Sequence, residues 1–282
     1  MRCWAALPRS EAPRPATTIP VKRQVAGNPG PYTLEGTNTW IVGRNPSVVI
    51  DPGPDDAKHL AAVASAAGPT LAILITHHHS DHEEGAAALA AMLGAPIRAW
   101  RRAPGRLRLR DGDELAVGGG TLRAVHTPGH TRDHLCFLGE PGRLLFTGDT
   151  VLGRGSTVIE PPDGDLSAYL ASLERILALE PRVLHPGHGP TVHDAGARLR
   201  AYLDHRRERE RQVLGLLDDG PASAAALALR IYPRLPAGLG EGATRTTYAH
   251  LLKLEHDGVL DRTGRGIRGV FSRSPANKEA AR

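Results

Sequence analysis

The sequence predicts a layered α/β domain followed by a smaller unit of two helices and a hairpin. Three observations carry that prediction. Between Asn38 and Leu179, short apolar runs alternate with stretches whose apolar side chains recur at helical spacing, the order in which strands and covering helices follow one another in α/β domains. Near Asp194 the composition turns to charge, and every residue from His205 to Arg211 is ionisable. Beyond it, two more helical stretches lead into residues alternating around Gly264, Arg265 and Gly266, a hairpin signal. With 282 residues, 40% hydrophobic and 23% charged, the chain has the size and composition of one large globular domain plus a small one.

Residues 1–20 are rich in Pro, Arg, Ala and Thr without apolar periodicity, so a loosely ordered lead-in is expected there, with the large domain at 21–200. Residues 38–42 and 48–50 read as strands, 55–66 as a helix and the apolar run 71–75 as a buried strand, and a helix is expected from Glu83 to Leu93. Arg106, Arg108 and Arg110 alternate with Leu107 and Leu109, which puts the arginines on one solvated strand face. Residues 114–117, 122–125, 134–138 and 143–146 add four strands. Leu166, Tyr169, Leu170, Leu173, Ile176 and Leu177 make 165–179 an amphipathic helix. The second unit, 201–275, begins with the charged helix as a bridge and continues with helices at 222–231 and 243–256 and a hairpin at 259–271, the outline of a winged helix. A frayed tail is expected at 276–282.

Chemistry concentrates between the strand 71–75 and the helix after it. His77, His79, Asp81 and His82 share one short turn, and imidazole with carboxylate is a donor set that suits zinc. His77 and His79, two apart at a strand end, can project to one side and share a metal. Asp81 and His82 follow a change of chain direction and are better placed for a second metal, so the turn reads as half of a dinuclear site. Three more candidates lie downstream, each in a glycine-containing turn: His130 after Gly129, Asp149 after Gly148, and His188 between Gly187 and Gly189. Glycine beside a ligand permits a sharp turn and a close approach. A lone histidine in a chain with 14 of them is ordinarily a core or surface residue. His78, His134, His185 and His193, which lack ligand spacing, are read that way or as hydrogen-bond partners orienting the ligands.

The His77-x-His79-x-Asp81-His82 turn followed by His130, Asp149 and His188 resembles the metallo-β-lactamase superfamily. The resemblance implies an αββα sandwich. It puts His77, His79 and His130 on one metal and Asp81, His82 and His188 on a second, with Asp149 between. It implies two Zn2+ ions, with Mn2+ or Fe also accepted, and hydrolysis by a metal-bound hydroxide without a covalent intermediate, Asp81 being the catalytic carboxylate that holds the hydroxide's proton. Asp51, in an Asp-Pro-Gly turn, corresponds to a carboxylate beneath the metals. Glu83 and Glu84 depart from the small residue and glycine common in the family and are expected near the site entrance. The segments 29–40, 147–153 and 186–190, with the C-terminal helices and hairpin, look like one branch, which includes a mitochondrial single-strand endoribonuclease. Glyoxalase II-type and acyl-carrier thioesterases share the catalytic domain.

Charge bears on substrate. The formal net charge is +5, and residues 201–282 hold 14 Lys/Arg against 10 Asp/Glu, an excess of 14 − 10 = 4. A basic winged helix invites nucleic acid, with Arg245 and Lys253 on a helix and Arg262, Arg265, Arg268 and Arg273 on the hairpin as phosphate contacts. Single-stranded RNA is therefore the favoured substrate. Thioester or other small-molecule hydrolysis, including weak β-lactamase activity, is the alternative, and a non-enzymatic binding module is the least supported because all seven ligand positions are filled. Trp100, among the arginines of 98–110, could stack on a base, although aromatic residues are only 4% of the chain. Cys3 and Cys136 give no disulfide framework, no apolar run is long enough to span a bilayer, and residues 1–8 lack a signal-like apolar core, so a cytoplasmic setting is expected. The helix 166–177 and the charged bridge could each bury against a second copy, which leaves a homodimer open.

Overall fold

The computed structural model of the protein describes residues 18–100 and 104–275. Residues 1–17 of the expected lead-in with Cys3, residues Arg101 and Arg102 of the basic stretch, and the expected tail at 276–282 lie outside the described residues. The first sheet has six strands in sequential order: β1 (Val21–Val25), β2 (Asn38–Gly43), β3 (Ser47–Ile50), β4 (Thr70–Leu74), β5 (Ile97–Ala99) and β6 (Arg106–Arg108). Helices α1 (Ala57–Ala67), α2 (Ser80–Glu83) and α3 (Ala86–Leu93) interrupt it. The second sheet contains β7 (Glu114–Val117), β8 (Gly120–His126), β9 (Leu135–Glu140), β10 (Leu144–Gly148) and β11 (Val183–Pro186), in the order β11-β10-β9-β8-β7. Its one parallel pair, β10 with β11, is joined through α4 (Leu166–Ala178), as a parallel crossover requires.

Alternation along the strands builds four layers. In β2, β3 and β4, Trp40, Val42, Val48, Ile50, Ala72 and Leu74 point between the sheets, where they meet Leu122, Ala124, Leu135, Phe137, Leu144 and Phe146. The intervening Ile41, Val49 and Ile73 face α1 and α3. From the second sheet Val125, Cys136, Leu138, Leu145 and Leu184 face α4 and the first half of α5 (Ala195–Asp218). A period of two thus sends each apolar strand residue to one of two cores, and the order helix, sheet, sheet, helix is the αββα sandwich.

Several expectations are corrected. The helix expected from Glu83 to Leu93 is two helices, α2 and α3, because Gly85 N–H donates to Gly53 O at 2.9 Å instead of continuing the helical ladder. Ile19, placed in the lead-in, is 2% exposed in the central core. Leu107 is 50% exposed while Leu109 is 0% exposed, so the alternation of 106–110 is not that of one regular strand. Arg106 turns to Glu83, and Arg108 lies 5.6 Å from the centroid of Trp100. Trp100 itself stacks on His126 at 3.7 Å between centroids, which occupies a face the sequence had left for a base.

α5 runs unbroken through residue 200, where the sequence had put a domain boundary. After it come β12 (Ala222–Ser223), α6 (Ala224–Ile231), α7 (Gly240–His256), β13 (Leu260–Thr263) and β14 (Val270–Arg273), with the strands in the order β12-β14-β13. Val213, Leu217, Leu227, Leu251, Leu254, Leu260 and Phe271 form their core. Leu166, Tyr169, Leu173 and Ile176 of α4 and Leu199, Tyr202 and Leu203 of α5 pack in one core, so the apolar faces offered to a second copy are covered by the chain itself. No described helix is long and apolar enough to cross a membrane.

Candidate metal centre

The seven candidate ligands all follow the C-terminal ends of strands. His77 and His79 follow β4, with Asp81 and His82 in α2; His130 follows β8, Asp149 follows β10 and His188 follows β11. The two sheets meet here, where Leu135 N–H donates to Thr76 O. Asn38 Nδ2 donates to Pro186 O at 2.9 Å and Gly189 O at 2.8 Å, and Trp40 Nε1 donates to Pro186 O at 3.0 Å, fixing the His188 turn from across the sandwich. At Gly187 a Cβ would lie 2.6 Å from both Asp149 Oδ1 and His82 Cε1, so glycine is what lets these strand ends close on one another.

The side chains gather in two groups with Asp149 between. His79 Nδ1 is 2.9 Å from His77 Nε2 and 3.1 Å from His130 Nε2. His188 Nε2 is 3.1 Å from His82 Nε2 and 3.2 Å from Asp81 Oδ2. Asp149 reaches both groups: Oδ1 is 3.5 Å from His82 Nε2 and from His188 Nε2, and Oδ2 is 3.8 Å from His130 Nε2. The groups His77–His79–His130 and Asp81–His82–His188 each bring one donor atom per residue within 4.8 Å of the others.

Hydrogen bonds on the far side of each ring assign its tautomer. Asp51 accepts from Thr76 N–H and Thr76 Oγ1–H, each at 2.8 Å, and its Oδ2 lies 2.9 Å from His82 Nδ1. The Thr76 hydroxyl, its hydrogen given to Asp51, accepts from His77 Nδ1–H at 2.9 Å. His130 Nδ1–H donates to Val158 O at 2.8 Å. His77 and His130 therefore aim bare Nε2 lone pairs inward, as His82 does once an ion takes the place of its second proton, and lone pairs pointed at one another need a cation among them. Asp149 Oδ1 adds to this: it is buried and has no hydrogen-bond donor. The donor set fits two divalent ions.

Electrostatics divides the groups. Burial, then His82, His130 and His134, hold His77 far below the imidazole range, and burial with His130 lowers His79 to about 4. Burial also lowers His130. In the other group burial is outweighed by carboxylates: Asp149, Asp81 and Asp51 raise His82 well above its ordinary value, and Asp149 with Asp81 raise His188 to about 9. Against burial, His188 and His82 hold Asp149 well below the usual carboxylate range. The first group offers neutral nitrogens, the second a demand for positive charge.

The histidines without ligand spacing take varied places. His134 accepts from Asp149 N–H at 3.1 Å through Nε2, with Nδ1 at 3.0 Å from Thr127 Oγ1, so it sets the Asp149 backbone. His78 is held by Asp133 at 2.9 Å, His185 stacks on Phe146, and His193 is exposed. The centre opens into a cleft of about 580 Å3 whose walls include Tyr32, Leu34, Leu152, Val158, Leu239 and Gly242. Sequence reasoning missed these residues, since no spacing links 31–34 to α7; the contact is made by Tyr32 O–H, which donates at 3.0 Å to the O of Gly238, in the turn before α7. Of the six basic residues proposed as phosphate contacts, Arg245 alone lines the cleft, and it is bonded to Glu160 and Glu241. Lys253 pairs with Glu210 at 2.8 Å and Asp257 at 2.9 Å. Arg265 and Arg268 are exposed and do not line the cleft. Neither do Glu83 and Glu84, expected at the entrance; Glu83 turns to Arg106.

An αββα sandwich carrying a paired imidazole and carboxylate centre at its strand ends is the architecture of a dinuclear metallohydrolase. The chain belongs to the metallo-beta-lactamase superfamily, whose sequence model matches residues 32–99 and 83–188. It is 36% identical over 252 residues to lactamase-like protein adaB of Aspergillus niger, covering 86% of this chain and 75% of that protein. It is 37% identical to an atrochrysone carboxyl ACP thioesterase of Aspergillus fumigatus, covering 78% and 76%, and 34% identical to the beta-lactamase-like protein 2 homolog of Caenorhabditis elegans, covering 86% of each. The fold is shared with a beta-lactamase domain protein from Burkholderia ambifaria, at a TM-score of 0.78 and 22% identity over 95% of this chain and 96% of that one. TTHA1623, solved in a di-iron-bound form, matches at a TM-score of 0.51 and 31% identity over 63% of this chain and 98% of its own.

Proposed function

We propose that the chain is a dinuclear metal-dependent hydrolase of thioesters with an apolar acyl group. One observation carries the choice of substrate: the cleft over the centre is walled by Leu34, Leu152, Val158 and Leu239, and its arginines are neutralised, Arg245 by Glu160 and Glu241 and Arg154 by Glu35. Such a wall accepts an apolar chain and gives a polyanion little purchase. The thioesterase name of the Aspergillus fumigatus relative supports the same reading.

His77, His79 and His130 would hold one ion and Asp81, His82 and His188 the other, with Asp149 shared. Zinc suits these donors, and manganese and iron are accepted by the same set. Bound divalent ions lower the pKa of water to about 7 and polarise a carbonyl. Asp81, whose side chain is 29% exposed toward the cleft and whose carboxyl His82 and His188 keep lowered against burial, holds and orients the proton of the attacking water. Asp51 and Val158 O keep the rings turned, and the leucines exclude water from the acyl side. Free, buried Cys136 fits a reducing compartment, so a cytoplasmic setting is part of the proposal.

Single-stranded RNA is the second reading, favoured by Arg265 and Arg268, which make no ion pair among the described residues. Against it, Arg262 pairs with Glu255 and Arg273 with Asp218, at 3.0 and 2.9 Å. The test sets a chromogenic acyl thioester beside a labelled single-stranded RNA, with metal-loaded protein and an Asp81→Ala control. Thioester turnover insensitive to salt and lost by about 100-fold or more in the control is expected. RNA cleavage that falls steeply with salt, without thioester turnover, would replace the first reading by the second. Full turnover in Asp81→Ala would remove Asp81 from its role.

A further inference from the structure

Most charges of α5 stay at the surface or pair along the helix, as Glu208 does with Arg211 and Arg209 with Gln212. Arg206 is the exception. It is 1% exposed and its guanidinium lies 5.2 Å from the Tyr169 ring centroid. Among the described residues it has no carboxylate partner and one hydrogen bond, from Nη2–H to Thr157 O at 2.5 Å, while Nε and Nη1 have no acceptor. A guanidinium buried without an ion pair is costly, so the side chain is not there for a salt bridge. What it holds is a backbone carbonyl.

That carbonyl begins a segment that touches the metal centre twice. Thr157 Oγ1–H donates to Asp149 O at 2.8 Å, and Val158 O accepts from His130 Nδ1–H at 2.8 Å. The next residue, Ile159, donates its N–H to Thr246 Oγ1 of α7 at 3.1 Å. Residues 157–159 are thus pinned by α5 and α7 on one side and carry the His130 tautomer on the other.

We infer that Arg206 and Thr246 are positioning residues for the His77–His79–His130 group, acting through Val158 O on His130; this rests on reading the site as a two-metal centre. The two groups then differ in what supports them. Asp81, His82 and His188 are braced inside the sandwich, by Asp51 and by Asn38 on the His188 turn. His130 is braced by the C-terminal helices. Asp149, which both ions share, keeps its own bond from N–H to His134 Nε2 at 3.1 Å, so loosening the pins should weaken the His130 equivalent and spare the other.

The experiment is a cobalt(II) titration of metal-free protein, followed by the visible absorption of the bound ion and using no substrate. Wild type is expected to take up two equivalents. Arg206→Met and Thr246→Val should bind one equivalent about 10–100-fold more weakly, the range typical when a partner that orients a ligand is lost, and the other as in wild type. Arg206→Lys should recover part of the loss, since an ammonium can donate to Thr157 O, and Arg207→Ala, on the exposed side of α5, should bind as wild type. Variants that are folded by circular dichroism and bind both equivalents unchanged, or lose both equally, overturn the inference. If Arg206→Met does not fold, the nearly isosteric Thr246→Val decides alone. Wild type that binds no cobalt would instead overturn the dinuclear reading.

Discussion

Asp51 shows how much one carboxylate can organise. It accepts from Thr76 N–H and Thr76 Oγ1–H and braces His82 Nδ1, and through the Thr76 hydroxyl it also sets His77. Its φ of 52° places it in the left-handed region, a conformation an Asp tolerates better than a branched residue. Asp51→Ala is expected to weaken metal binding about 10–100-fold and to cost about 1–3 kcal/mol of stability by leaving a buried N–H unpaired. Chelator competition and urea denaturation check the two effects, and unchanged metal affinity would contradict the role. At this scale the seven ligand candidates were legible because they lie in short motifs whose local spacing carries the chemistry. Asp51 was found only through the family resemblance. Thr76 and Arg206 were not legible, since what each does depends on a neighbour brought close by the fold: Asp51 for the one, Thr157 for the other.

Elements were legible where one face is apolar and one polar. α4 begins after Asp165, whose side chain accepts from Ala168 N–H at 2.8 Å, and its apolar stripe is the buried one. Asp165→Ala should cost about 1 kcal/mol, the usual loss for an N-cap, seen as a lower urea midpoint with an unchanged slope; no shift would mean that packing alone sets the helix start. β1 was missed because Lys22, Arg23 and Gln24 hide its pairing with β2. β5 is only Ile97–Ala99 and escapes any periodicity. The break between α2 and α3 was missed because it is imposed from outside the helix, by Gly53 O, which accepts from Gly85 N–H.

Across the whole molecule, buried neutral histidines make stability depend on pH. Burial lowers His185 and His205 to about 4, and burial with Arg206 and His205 holds His250 well below the ordinary imidazole value. His205 is partly exposed, so solvent screening reduces its share. Each folded-state value lies below that of an unfolded imidazole, about 6.5. The folded chain therefore binds fewer protons, and the stability these groups contribute is present above about pH 6.5 and is lost as pH falls from there toward 4. The melting temperature of metal-free protein should drop between pH 7.5 and pH 5 despite His82 and His188, whose raised values favour the folded state as pH falls, and less so in His250→Leu. An equal drop in that variant would show that His250 does not contribute.

α5 has a consequence for how the molecule comes apart. Its first half gives Leu199, Tyr202 and Leu203 to the sandwich, and its second half gives Val213 and Leu217 to the C-terminal core. With no linker between them, melting either core strips apolar cover from a helix the other needs, so neither can open at its own lower free energy. Tryptophan fluorescence, to which Trp40 and Trp100 on the first sheet's side contribute, and far-ultraviolet ellipticity, which is weighted toward the helices, should then report coincident transitions. Coincident transitions would mean that the two cores share one folding equilibrium, and that an ion bound at the strand ends holds the hairpin folded by mass action.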